Sequence, residues 1–294
     1  MDVERNRWNT AKVTPTFKSR DPTDVTNYRP ISVLPILSKI AERHVHNALY
    51  SFLCENDLIY IRQSCFRSKH STETALIKTV DHLLFNLDKD RVSGMVLVDY
   101  RKAFDMIDHT LLLKKLEVYG LGRDFLQWCT SYLKDKRQLV KLGHKQSSVT
   151  IVRHGISRGS ILGPLLFIVF INDLPHYVTS SRIDLYADDT TLTSSTNYSS
   201  IGRLEGTLNS SIAEIVDWAA SNKLPINERK TKAMFITGKR LPSKINEEMT
   251  LTIKGTELEL VPSAKLLGLE LDSELSFTFL VEKLCKKLSQ RLAY

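Results

Sequence analysis

The chain has 294 residues, 42% of them apolar and 25% charged, which excludes a disordered tail and allows one large domain or two to three subdomains. Its net charge is +8, and the excess is uneven: residues 134–158 hold seven Lys or Arg against one acid, Asp135, so this block is either a solvated basic face or a surface for a polyanion. Cys54, Cys65, Cys129 and Cys285 are scattered without Cys-x-x-Cys or His at ligand spacing, which argues against a zinc site or disulfide framework and for buried free thiols.

Residues 1–30 read as an irregular, strand-containing lead-in closing on Asn27-Tyr28-Arg29-Pro30, where the proline favours extended backbone before it. Leu37, Ile40, Ala41, Val45, Ala48, Leu49 and Phe52 recur at helical spacing and predict a helix over 36–53. Residues 62–71 form a cationic loop before a second helix through Leu76, Val80, Leu83 and Leu87, with Ser71 or Thr72 as its cap. Cations held before a helix N-terminus are either a solvated loop or a phosphate cradle. Met95-Val96-Leu97-Val98 reads as a buried strand delivering Asp99 at its end. Asp105 and Asp108 lie close enough to a helix starting near His109 to be its caps, and Gly120 ends that helix.

A further helix carries Phe125, Cys129, Tyr132 and Leu133 on one face, and the alternating segments 138–142 and 149–152 read as a strand pair. Residues 155–160 lead into an apolar helix over 161–170, with Gly159 at its mouth where backbone can approach a ligand. The longest apolar run, 161–171, is interrupted by Gly163-Pro164 and too short to span a bilayer, and the first twenty residues hold no apolar leader. A soluble, intracellular protein, or a piece of one, is expected.

Ile183 and Leu185, then Asp188-Asp189, then Leu192 read as a hairpin whose tight turn carries both acids. Asp-Asp pairs are common in surface turns, but fixed paired carboxylates also call for a divalent cation. Leu208, Ile212, Ile215, Val216 and Ala219 predict an amphipathic helix on a sheet, stopped by Asn222-Lys223-Leu224-Pro225. A strand over 233–236, a hairpin over 251–260 turning at Lys254-Gly255, a strand over 265–271 and a basic helix with Lys283, Lys286, Lys287 and Arg291 complete the chain. One Asp at a strand end, an Asp-Asp hairpin and basic segments around them have the logic of a polymerase palm, where carboxylates hold two Mg²⁺ ions about 3.5–4 Å apart for in-line phosphoryl transfer.

With these residues assembled, the chain resembles the reverse transcriptase of non-LTR (LINE-type) retrotransposons over nearly its whole length. Five blocks carry the resemblance: 27–41 (NYRPISVLPILSKIA), 63–76 (QSCFRSKHSTETAL), 94–109 (GMVLVDYRKAFDMIDH), 155–174 (GISRGSILGPLLFIVFINDL) and 186–192 (YADDTTL). Two weaker ones follow, 222–231 (NKLPINERKT) and 265–275 (KLLGLELDSEL), all in the family's order.

The resemblance implies an α+β right-hand polymerase fold with an antiparallel palm sheet. Residues 1–262 are then interleaved fingers and palm, and 263–294 the primer-grip strand and the start of a truncated thumb. It implies an RNA-directed DNA polymerase that adds deoxynucleoside triphosphates to a DNA primer on an RNA template. Two Mg²⁺ ions, or Mn²⁺ in their place, assist the transfer, and no membrane is involved. A nuclear location is implied by resemblance only.

Asp99, Asp188 and Asp189 resemble the family's metal-binding catalytic triad, with the Tyr100 backbone beside the metals. Phe104 is similar to the aromatic that rejects a 2′-OH, its alternative being a core aromatic. Arg67 resembles the fingers cation for the triphosphate, Lys230 the motif lysine near it, and Leu267-Gly268 the hairpin that grips the primer end.

Two departures stand out: Ser157-Arg158-Gly159 replaces the family's usual Pro-Gln-Gly, and Cys65 stands where Gly is frequent. They open a second reading, a catalytically impaired relic or co-opted copy that binds RNA or RNA–DNA hybrid. A metal-dependent phosphodiesterase is disfavoured, because no His cluster accompanies the acids. No endonuclease domain or Cys/His knuckle is recognisable beside the polymerase blocks.

Overall fold

The computed structural model describes residues 10–17, 21–134, 136–157, 159–240 and 249–292. In chain order, β1 (Thr10–Phe17) and β2 (Tyr28–Val33) are followed by α1 (Ile36–Glu55), α2 (Thr72–Asp88) and β3 (Arg91–Val98). Then come α3 (His109–Val118), α4 (Arg123–Leu133), β4 (Arg137–Leu142), β5 (Lys145–Gln146), β6 (Thr150–Ile151) and α5 (Gly163–Ile171). After β7 (Arg182–Tyr186), β8 (Asp189–Asn197), α6 (Ile201–Ser221) and β9 (Lys232–Ile236) stand β10 (Thr252–Ile253), β11 (Thr256–Glu257) and β12 (Glu259–Leu260). The last elements are β13 (Ser263–Leu266), β14 (Leu269–Asp272) and α7 (Thr278–Leu292). They divide between two compact units, 1–60 with 102–172 and 222–224, and 61–101 with 173–221 and 225–294.

In the first unit the sheet runs β2-β1-β4-β5, with β6 also on β4. The predicted pairing of 138–142 with 149–152 is present as β4 with β6, and β4 also joins β1 in parallel, Thr10 opposite Arg137. In the same unit α5 is buried at Gly163 and from Leu165 to Ile171. Its mean hydropathy demands this. It begins two residues later than predicted because Pro164, lacking a donor, sits in the first turn. Glu42, 1% exposed, binds the N-terminal side of this helix, accepting from Ile161 N at 2.7 Å, Ser160 Oγ at 3.0 Å and Tyr132 Oη at 2.9 Å. A carboxylate there matches the helix dipole. Lys136 belongs to the basic block yet is buried, with Nζ 3.8 Å from the Tyr132 ring centroid. Asp108 caps α3, accepting from Leu111 N at 3.0 Å, and also pairs with Lys223 at 2.7 Å.

Gly155, φ 83°, packs against residues 105–109: its N donates to Ile107 O at 2.8 Å, and His109 Nε2 lies 2.7 Å from its carbonyl. A Cβ there would stand 2.6 Å from Asp105 O and 2.7 Å from its Cα, both backbone atoms that cannot turn away. Gly155→Ala is therefore expected to destabilise the protein by about 3 kcal/mol, left-handed strain and overpacking together, read as a lower urea midpoint at unchanged m.

In the second unit the sheet order is β12-β9-β3-β8-β7. β3 is central and antiparallel to both neighbours, Val98 opposite Thr190 on β8 and Leu97 opposite Lys232 on β9. Gly94 faces α6, where a Cβ would strike Leu208, whereas Met95 shares a buried cluster with Leu83 of α2. Successive strand residues face opposite ways, so α2 and α6 cover opposite faces of the sheet. The cluster on the α2 side takes in Met234, Ile236, Ala264, Leu266 and Leu271, which fastens β13 and β14 beneath the sheet.

Several expectations need correction. The palm sheet is antiparallel except at one edge, where β12 runs parallel to β9 with Glu259 opposite Lys232. The hairpin predicted over 251–260 does turn at Lys254-Gly255, φ 50° and 79°, but contains only β10 and β11. Beyond it Val261 N donates to Ala233 O at 2.9 Å, so the chain has joined the large sheet. The strand predicted over 265–271 is a hairpin, β13 with β14, because Leu267 and Gly268 take φ 47° and 95°. Cys65 and Cys129 are buried free thiols as expected, but Cys54 and Cys285 are exposed. Among the described residues no helix is long and apolar enough to cross a membrane.

Candidate active site

β3 ends at Val98 and hands its chain to Asp99, which is half-buried and held by the segment 225–231. Arg101 N donates to Pro225 O at 2.8 Å and Asn227 N to Asp99 O at 2.7 Å, which zips this segment along the strand's continuation. Asn227 Nδ2 then donates to Asp99 Oδ2 at 2.8 Å, fixing one carboxylate oxygen. Thr231 Oγ1 accepts from Asp99 N at 3.2 Å and donates to Asn227 O at 3.0 Å, closing the ring. Tyr100 is buried edge-on to Trp218, whose Nε1 donates to Asp173 Oδ1 at 3.0 Å. Burial pushes the Tyr100 phenol well above its ordinary range, so it stays protonated beside Thr190.

The second acid source is the β7–β8 hairpin. Tyr186 pairs with Asp189 across the two-residue turn Ala187-Asp188, with Ala187 at φ 55°. Asp189 is thus the first residue of a strand, and Asp188 sits on the turn beside it. Desolvation at the carboxyl, then the charges of Asp188 and Asp99, push Asp189 up to about 6. Asp99 and Asp189 line one cavity of about 400 Å³ together with Lys230, Lys232, Lys265 and Leu267. Glu270 lines it too, so three carboxylates share the wall with three ammonium groups, of which Lys232 is paired with Glu259 at 3.0 Å, and this mixture suits a polyanion that arrives with a cation.

The fingers loop is shaped by its own bonds. Phe66 and Lys69 take positive φ, 53° and 62°, and Arg67 Nη1 donates to Gln63 O at 3.1 Å. Ser71 caps α2 in a capping box, accepting from Thr74 N at 3.2 Å while Thr74 Oγ1 accepts from Ser71 N at 2.9 Å.

Of the residues singled out from the sequence, Asp99, Asp189, Lys230 and Leu267 meet at the cavity, and Gly268 completes the turn after Leu267. Arg67 does not line it. Phe104 and Gly159 belong to the first unit. There Phe104 stacks on Phe167 with centroids 4.4 Å apart at 15°, and Gly159, φ 107°, lies against the Ser32 carbonyl with no room for a Cβ. Arg158 lies outside the described residues. Among the described residues no group of three or more His, Cys, Asp or Glu is gathered to hold a metal ion. Sequence reading missed Asn227 and Thr231; the signal was there, an Asn three residues before Lys230 with a Thr after it, but nothing local says they turn toward Asp99.

The sequence family described as "Reverse transcriptase (RNA-dependent DNA polymerase)" matches residues 18–280. The chain belongs to that family. This reverse transcriptase chain is 30% identical over 97% of its length to a probable RNA-directed DNA polymerase from transposon BS of Drosophila melanogaster. It is 31% identical over 88% of its length to the RNA-directed DNA polymerase from the mobile element jockey of Drosophila funebris. It spans only 32% and 28% of the lengths of those two proteins. Among solved structures it resembles telomerase from Candida albicans, TM-score 0.56 at 14% identity, covering 94% of this chain and 46% of that one. Telomerase from Candida tropicalis gives TM-score 0.58 at 12% identity, covering 91% and 44%. At such identities the likeness establishes the fold, a right-hand polymerase of α+β class.

Proposed function

We propose that this reverse transcriptase chain is the catalytic core of an RNA-directed DNA polymerase from a non-LTR mobile element, adding deoxynucleotides to a DNA 3′-OH on an RNA template. The observation that carries this is the cavity where Asp99, Asp189 and Lys230 converge in a chain that matches the family across 18–280. Residues 1–262 serve as fingers and palm in this reading, and 263–294 as primer grip and start of a thumb.

The acids suit Mg²⁺. Their donors are hard oxygens, and Asp189, raised first by desolvation and then by the charges of Asp188 and Asp99, is a carboxylate that a cation would relieve. Asp99 and Asp189 in one cavity match an ion that takes one or two protein ligands and completes its shell from substrate phosphates and water. When bound, two such ions would lower the pKa of the attacking hydroxyl and neutralise the triphosphate. Asp99, Asp188 and Asp189 would hold them.

Asn227 restrains one oxygen of Asp99, so the carboxylate presents the other in a fixed direction. Lys230 supplies positive charge for the triphosphate or pyrophosphate, reinforced by Lys232 and Lys265 on the same wall. Arg67 provides the fingers cation, and Leu267-Gly268 grips the primer end. Stacking on Phe167 stiffens Phe104 as the barrier to a 2′-OH. The residue pair Arg158-Gly159 seats nucleotide and template.

Primer extension on an RNA template with Mg²⁺ and deoxynucleotides tests the reading, comparing the chain as it stands with Arg158→Gln. Extension by both is the expected result and makes Arg158 a tolerated variant. Extension only after Arg158→Gln identifies a palm disabled at one residue, and silence from both folded proteins favours the binding-only alternative.

A further inference from the structure

We propose that Gln63 is the positioning residue that holds the Asp188-Asp189 turn in shape and ties it to the Arg67 loop, an inference that rests on the polymerase reading of that turn. Gln63 is 0% exposed. Its neighbours extend the sheet beyond β7: Ser64 N donates to Leu185 O at 2.9 Å, and Leu185 N to Arg62 O at 3.1 Å. Its side chain reaches past this pairing to the turn itself. Oε1 accepts from Ala187 N at 3.3 Å and from Cys65 N at 3.0 Å. Two N–H groups converge on one atom, which assigns that atom as the oxygen.

Nε2 is buried with no hydrogen-bond partner among the described residues. A Leu or Met would fill the same space without that desolvated donor, so packing alone does not account for an amide here. The acceptor does. Ala187 sits at φ 55°, a conformation that an L-residue with a Cβ adopts only under restraint, and its N–H is committed to Gln63. Releasing that N–H frees the Tyr186-Ala187 peptide to turn over at the entry to the turn, and the two carboxylates that follow would move with it. On its other side, the main-chain oxygen of Gln63 accepts from Arg67 Nη1 at 3.1 Å. One residue therefore sets the acid turn with its side chain and the cation loop with its backbone.

The test compares Gln63→Met, which keeps the volume and removes the acceptor, with Gln63→Glu, which keeps an acceptor oxygen. Gln63→Asn, whose shortened side chain withdraws the acceptor, stands in if the Met variant fails to fold. Amide hydrogen exchange resolved at Ala187 and Cys65 is read first. Exchange about tenfold faster or more in Gln63→Met, with Gln63→Glu within about threefold of wild type and distal core amides unchanged, is expected. Primer extension is read second: kcat down about tenfold or more in Gln63→Met at a nucleotide KM within about threefold, with Gln63→Glu less impaired. Unchanged Ala187 exchange in Gln63→Met, or equal acceleration in the Met and Glu variants, overturns the proposal. A wild-type chain silent in primer extension counts against the polymerase reading, while the exchange comparison still decides the role of Gln63.

Discussion

Changing both Asp188 and Asp189 to Asn is expected to lower primer extension by roughly 10⁴-fold, because several kcal/mol of charge stabilisation at the reacting phosphate is lost with the ligands. The fold should survive. Asp189 is raised from 3.8 to about 6 in the folded chain, so the folded state holds its proton more tightly than the unfolded one. Without divalent cation, the contribution of Asp189 to stability is then full at low pH and is lost as pH rises between about 4 and 6, the window in which the folded carboxyl ionises. At pH 7 the Asn pair removes that ionisation, so its thermal midpoint without Mg²⁺ should equal or slightly exceed that of wild type. Adding Mg²⁺ should raise the wild-type midpoint and leave that of the double variant in place. In wild type, extension should fall on acidification as Asp189 takes up its proton, with more Mg²⁺ shifting the fall to lower pH. Undiminished extension by the double variant sinks the assignment of these acids.

What was legible in the sequence was local. Ser71 and Asp108 announce helix starts because their side chains satisfy N–H groups within three residues, and Gly120, φ 84°, announces a stop for the same kind of reason. The apolar run 163–171 could only be buried, and the strand–Asp99 and hairpin–Asp188-Asp189 patterns survived intact. What was not legible was decided by partners distant in sequence. β4 gains β1 as a parallel neighbour across more than a hundred residues, and nothing in Gln138-Leu139-Val140 encodes that choice. By its apolar pattern Leu266-Leu267-Gly268-Leu269 reads as one buried strand; the hairpin was legible only through the family resemblance, and the structure makes it with Leu267 and Gly268 at positive φ and both arms, Leu266 and Leu271, packed into one cluster. Glu42 lies outside the apolar positions that predict the 36–53 helix, yet it is enclosed where Ile161 N–H, Ser160 and Tyr132 need an acceptor. At the site the acids were legible as types, while the groups that aim them, Asn227 and Thr231, were not, since a side-chain amide carries no periodicity.

Asn227 therefore gives the sharpest test of how the acids are aimed. Asn227→Asp replaces the amide nitrogen that donates to Asp99 Oδ2 at 2.8 Å with an oxygen, and two carboxylates at that separation cannot both be ionised without strong repulsion. The pair is expected to share a proton, so the acidic limb of the extension profile moves to higher pH and kcat/KM falls by about 10²–10³-fold near neutrality. Asn227→Ala removes the bond without adding charge. Its loss should be smaller, about 10- to 100-fold, with the pH limb near its wild-type position. In both variants the main-chain bond from residue 227 N to Asp99 O persists, which is why the segment should keep its course and the stability cost of the Ala variant should stay near 1 kcal/mol. Extension measured across a Mg²⁺ titration and from pH 6 to 9 separates the cases. If Asn227 aims the carboxylate, both variants need more Mg²⁺, the Asp form most of all. Equal losses in the two variants, independent of Mg²⁺ and of pH, would instead show that Asn227 only braces the 225–231 segment and that Asp99 is aimed by its backbone alone.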